Sequence, residues 1–134
     1  MINFVLMLTL RLAQLSTLSV ISEAGAEDRA IRHLRNCIPE ACDAMSEDEL
    51  RETVAWGRKK SRHYGIDRES DFFRYLNLMF MFEFEFDTSP RYPWAARALN
   101  GSGSARARVD LLMDHAMLYC SQVSAAAAEG DSNR

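Results

Sequence analysis

Cysteine is scarce in this chain, and what there is excludes a zinc module. Cys37, Cys42 and Cys120 make an odd set, and the spacing of the first two fits no common knuckle and has no accompanying histidine pair. They read as unbridged thiols of a reducing compartment. Positive charge is not in excess either: a net charge of −3 and a pI of about 5.6 remove the electrostatic case for nucleic acid. No stretch reaches the roughly 20 apolar residues of a membrane span. Also missing are a G-x-S-x-G elbow, a phosphate-cradling glycine loop, a dinucleotide fingerprint and an H-E-x-x-H pair. The expectation is a soluble, cytoplasmic, non-catalytic protein without cofactor. Its 134 residues suffice for one core and hardly two.

The opening "MINFVLMLTLRLAQLSTLSVISEAGA" imitates a signal peptide. However, no positive charge precedes the apolar run, Arg11 interrupts it, and Gln14, Ser16, Thr17 and Ser19 follow. It reads instead as an N-terminal extension over 1–12, a helical domain over 13–125 and a flexible tail over 126–134.

Helical spacing dominates the domain. Leu15, Leu18, Ile21, Ala30, Ile31, Leu34 and Ile38 keep three- and four-residue steps, which predicts an amphipathic helix ending before Pro39, with Gly25 as a bend or a break. Ser46-Glu47-Asp48-Glu49 is a capping box that starts a second helix. Gly65 ends it, and Leu50, Val54, Gly57, Ser61 and Tyr64 form its inner face. Arg58, Lys59, Lys60 and Arg62 fall in its last turns, where cations suit the negative helix end. Asp67 caps a third helix, "RESDFFRYLNLMFMFE", whose apolar residues run almost all the way round and which is therefore central. Pro93 opens a short helix anchored by Trp94. Ser104 caps the last one, with Val109, Leu112, Met113, Ala116, Met117 and Cys120 as its stripe. The fold class is all-α: a single compact bundle of about four to five helices with no substantial sheet.

"LMFMFEFEFDTSPRYPWA" then poses a choice, because Glu83 to Asp87 alternate acid and aromatic as a strand does. No second alternating run exists to pair with it. It reads as the last turn of the third helix unwinding into an extended loop, with Phe84 and Phe86 folding back and the acids facing water. Glu83, Glu85 and Asp87 are hard-cation ligands by type, but the glycine and later bidentate acid of a calcium loop are missing, so salt bridges to Arg91 and Arg97 are preferred and no metal is expected. His33, His63 and His115 lie on three different helices and read as surface or helix-end residues.

Finally, "YGIDRESDFFRYLNLMFMFEFEFDTSPRYPWA", with "LRLAQLSTL" and "HLRNCIPEACDAMSEDELRETVAWG", resembles a family of small helical proteins encoded in bacterial type VI secretion clusters. The resemblance rests on Tyr64-Gly65, Tyr75, Leu78-Met79, Phe86-Asp87, Pro90 and Pro93-Trp94-Ala95, and departs from the pattern at Glu83, where glycine is expected. It implies a cytoplasmic accessory factor, a co-chaperone that contacts an effector or its adaptor, with an immunity protein as the alternative. The partner-binding candidates are Phe84, Glu85, Phe86, Asp87, Arg91, Tyr92 and Trp94, since aromatic residues and arginine dominate interface energy, with Phe84, Arg91 and Tyr92 the more exposed. Two further alternatives are a homodimer through the third helix and a small metal-dependent enzyme using Glu83, Glu85, Asp87 and His115.

Overall fold

The computed structural model describes residues 25–132. The extension expected over 1–12 and the first half of the helix expected from Leu15 lie outside them. Among the described residues there are six helices and no strand: α1 (Ala26–Cys37), α2 (Pro39–Asp43), α3 (Glu47–His63), α4 (Glu69–Met81), α5 (Pro93–Leu99) and α6 (Ala105–Ser132). The protein is an all-α bundle.

Local chemistry explains most of the boundaries. Gly25 precedes α1 at a φ of 75°, a left-handed conformation in which glycine carries no steric cost. Pro39 stops α1 as expected, but it also occupies the first position of α2, where its missing N–H is no loss. That short helix was not anticipated. The capping box of α3 is complete: the Glu49 amide donates to Ser46 Oγ at 3.1 Å and the Ser46 amide donates to Glu49 Oε1 at 3.4 Å. Gly65, at φ 75°, ends it. The cap expected from Asp67 is not made; Arg68 occupies that position in an extended conformation with no side-chain cap. Ser104 does cap α6, accepting from the Ala107 amide at 3.1 Å. Where a flexible tail was expected from residue 126, helical backbone continues to Ser132.

The central helix is α4, which packs on α1, α3 and α6. From Glu69 to Met79 nearly every side chain on it is buried. It packs tightly on α3, because Gly57 leaves room for the Leu76 and Met79 side chains; a Cβ there would lie 2.5 Å from Leu76 Cδ2 and 2.9 Å from Met79 Sδ. Such an approach is what small residues on a helix face permit. Charged staples finish the rim. Arg29 reaches Glu69 at 2.6 Å, joining α1 to α4, and Arg74 joins Asp71 at 2.5 Å to Asp110 of α6 at 2.7 Å. Arg108 ties α6 back to the end of α5 through the Leu99 carbonyl at 2.7 Å.

Candidate functional site

The corner between α4 and α5, residues 82–92, is neither strand nor extended loop. Successive turns close it: the Phe86 amide donates to the Glu83 carbonyl at 3.1 Å, Thr88 and Ser89 both donate to Glu85, and Tyr92 donates to Ser89. These bonds satisfy backbone groups that an isolated strand would leave open. Coiling the chain this way defeats the simple alternation of the sequence, so the acids and aromatics do not sort onto two opposite faces.

Asp87 is the clearest departure from expectation. Rather than facing water, its carboxylate is 1% exposed, with Lys60 Nζ donating to Oδ1 at 2.6 Å and the Tyr64 hydroxyl donating to Oδ2 at 2.7 Å. A carboxylate can be buried at acceptable cost only when paired and hydrogen-bonded in this way. Both donors come from the end of α3, so the pair clamps the corner onto the α3–α4 hairpin. Phe86 follows Asp87 inward, fully buried, its ring 5.1 Å from that of Tyr75. Lys60, read from sequence as one of several helix-end cations, is thus a specific partner of the corner.

A second anchor lies on the α5 side. Phe82, Tyr92, Trp94 and Tyr119 form a cluster in which every pair of ring centroids lies between 5.0 and 5.9 Å. Tyr92, expected at the surface, is buried there, because Tyr119 of α6 covers it. Four of the seven candidate residues, Phe86, Asp87, Tyr92 and Trp94, therefore turn inward. Phe84, Glu85 and Arg91 remain outside. Phe84 does not fold back into the core; it is 41% exposed and stands edge-on to Phe80 at 5.2 Å. Arg91 pairs with Glu83 at 3.0 Å, as expected, whereas the proposed Arg97 contact is not made.

Sequence reasoning missed one exposed aromatic. Trp56 is also 41% exposed, and it falls off the α3 stripe of Leu50, Val54, Gly57 and Ser61, which was the available signal. The ammonium groups of Lys59 and Lys60 lie 5.9 and 5.4 Å from its ring, within cation–π reach. Lys60 thus links Trp56 to Asp87, three residues along the chain from Phe84.

The acids do not assemble a metal centre. Glu83 is held by Arg91 and Asp87 by Lys60 and Tyr64, and no group of three or more His, Cys, Asp or Glu among the described residues is placed to hold an ion. His33 is buried on α1, not at the surface.

Burial and the adjacent Asp87 charge raise the Tyr64 hydroxyl well above its ordinary value, and burial does the same for Tyr75. Below about pH 10 both tyrosines are neutral in the folded and unfolded chain, and their contribution is intact. Above it the unfolded chain releases protons that the folded one retains, so stability falls by about 1.4 kcal/mol per pH unit for each. Urea titrations between pH 8 and 11 should show this decline, and Tyr64→Phe should reduce the total loss across that range by about 1.4 kcal/mol. An unchanged loss would show that Tyr64 ionises as easily folded as unfolded.

No helix among the described residues is long and apolar enough to cross a membrane. No family model matches the chain, and neither a curated protein nor a solved structure matches it.

Proposed function

We propose that this chain is a non-catalytic, protein-binding accessory factor of type VI secretion, a co-chaperone that holds an effector or its adaptor. The observation that supports this reading is a corner anchored twice from within that leaves Phe84 outward, while Lys60, which holds Asp87 of that corner, also lies over the half-exposed Trp56. Held aromatics of this kind lose little conformational freedom when a partner covers them, and interfaces draw most of their energy from a few such anchors. A stable complex would cover about 1,200–2,000 Å² in total, far more than the two rings alone, so Arg91 and Glu85 form part of its polar rim.

Co-expression with a type VI effector and its adaptor, followed by size exclusion, tests the proposal. Trp56→Ala and Phe84→Ala should each weaken the complex by about 1–4 kcal/mol while leaving the unfolding free energy within about 0.5 kcal/mol of wild type. If neither substitution moves the affinity of a complex that does form, this surface is not the docking site. Protection of cells from the toxin by this chain alone would assign the immunity role instead.

A further inference from the structure

The charges of α3 fall into two blocks of opposite sign. Glu47, Asp48 and Glu49 fill its first turn, and Lys60, Arg62 and His63 lie in its last. The exposed Glu52 and Lys59 extend each block toward the middle of the helix. Part of this charge is used within the chain: Glu47 pairs with Arg35 and Arg51, Arg51 with Asp28, and Lys60 with Asp87. Glu52 and Lys59 have no ion-pair partner among the described residues, and the Lys59 ammonium lies over the Trp56 ring.

Both residues sit in the middle of the free face. Leu50, Val54, Gly57 and Ser61 are the buried stripe of α3. With about 3.6 residues per turn, the line opposite that stripe runs through Asp48, Glu52, Lys59 and His63, and Ala55 and Trp56 flank its centre. All six are exposed. The order along the line is acid, acid, the Ala–Trp pair, base, base, so turning the helix end for end exchanges acid for base. α4, the helix on which the sequence suggests self-pairing, is closed to it, because nearly every side chain from Glu69 to Met79 is buried.

We propose that α3 pairs antiparallel with α3 of a second copy of this chain, about a two-fold axis level with Ala55 and Trp56. In such an isologous contact each pairing is made twice. Glu52 faces Lys59 of the second copy, Lys59 faces its Glu52, and Asp48 and His63 approach each other at both ends. The two Trp56 rings meet beside the axis, each still covered by its own Lys59. Antiparallel helices also bring each positive helix start toward the other's negative end. An unrelated acidic surface would answer Lys59 and leave Glu52 unmet, whereas a parallel copy would set like charges together. A reversed copy answers both. The pairing is independent of the effector-binding reading, and an effector that docks on Trp56 has to displace the second copy.

Sedimentation equilibrium of the full chain without effector tests this over about 1–500 μM, at about 0.02 M and about 0.5 M salt. A single helix pair covers less than the about 1,200 Å² of a stable complex. The expected result is therefore a reversible dimer with a Kd of about 10–100 μM that weakens at the higher salt. Glu52→Lys and Lys59→Glu should each weaken it by about tenfold or more, because each turns both central contacts from attractive to repulsive. Mixed together, the two variants should dimerise again: the base introduced at position 52 of one faces the acid introduced at position 59 of the other, and the remaining native Lys59 and Glu52 face each other. Both positions are exposed, so each variant should melt like wild type. A chain that stays monomeric across the whole range overturns the proposal, as does a dimer that either single reversal leaves intact or that mixing fails to restore.

Discussion

Asp87→Ala is expected to destabilise the protein by about 3–5 kcal/mol, because removing one partner of a buried ion pair leaves the other charge uncompensated. The Lys60 side chain is 15% exposed, so part of its hydration can be regained and the lower end of that range is the better estimate. Tyr64 would lose its Asp87 acceptor at the same time. Asp87→Asn keeps an oxygen for the tyrosine but not the charge for the lysine, and should fall between wild type and alanine. Replacing both members, Lys60→Met with Asp87→Leu, should cost less than Asp87→Ala alone, since no orphaned charge remains. Urea unfolding with an unchanged slope is the appropriate measurement. A loss below about 1 kcal/mol for Asp87→Ala would mean that the pair behaves as a surface salt bridge and that the corner is held by Phe86 and the aromatic cluster around Tyr92.

This arrangement gives the corner's sequence a structural meaning. Tyr64, Gly65, Tyr75, Phe86 and Asp87 are five of the eleven residues that carry the sequence resemblance, and these five meet: Tyr64 binds Asp87, Tyr75 meets Phe86, and Gly65 makes the turn that follows Tyr64. They build the support for an exposed rim and are not themselves that rim. Contacts with a partner would then fall to residues beside the pattern, Phe84, Arg91 and Trp56, which are free to vary with the partner's surface. The departure at Glu83 fits the same division, since its carboxylate lies outside the clamp and pairs with Arg91.

What could be read from sequence was local. The capping box, the glycine after α3, the α3 stripe and the serine cap of α6 each depend on residues within a few positions of one another, and each appears where expected. The failures concern distant partners. Nothing near Asp87 says that it is buried, because its partners sit 27 and 23 residues earlier. Tyr92 looks exposed until Tyr119 is packed against it. His33 reads as a surface residue until α4 brings Asn77 and Phe73 to it. The short α2 is hidden for a different reason: Pro39 has to end α1, and nothing nearby signals that it also occupies the first position of another helix.

The separation of support from rim can be tested at Trp94. Its ring lies 5.6, 5.9 and 5.8 Å from those of Phe82, Tyr92 and Tyr119, so truncation removes three aromatic contacts and leaves a void between α5 and α6 that the remaining rings cannot fill without leaving their own partners. Trp94→Ala should therefore cost about 3–5 kcal/mol, a large part of the 5–15 kcal/mol typical of a whole domain. Its buried indole N–H has no hydrogen-bond partner, so no bond is lost to add to that figure, and Trp94→Phe should recover much of the stability by restoring a ring. Partner binding should fall only as the folded fraction falls, and should return when measured under conditions where the variant is fully folded. Phe84→Ala should show the reverse, a normal melt with weakened binding. A Trp94→Ala protein that melts like wild type yet cannot bind would move the tryptophan from the support to the interface, and the docking surface would have to be redrawn around the α5–α6 side of the corner.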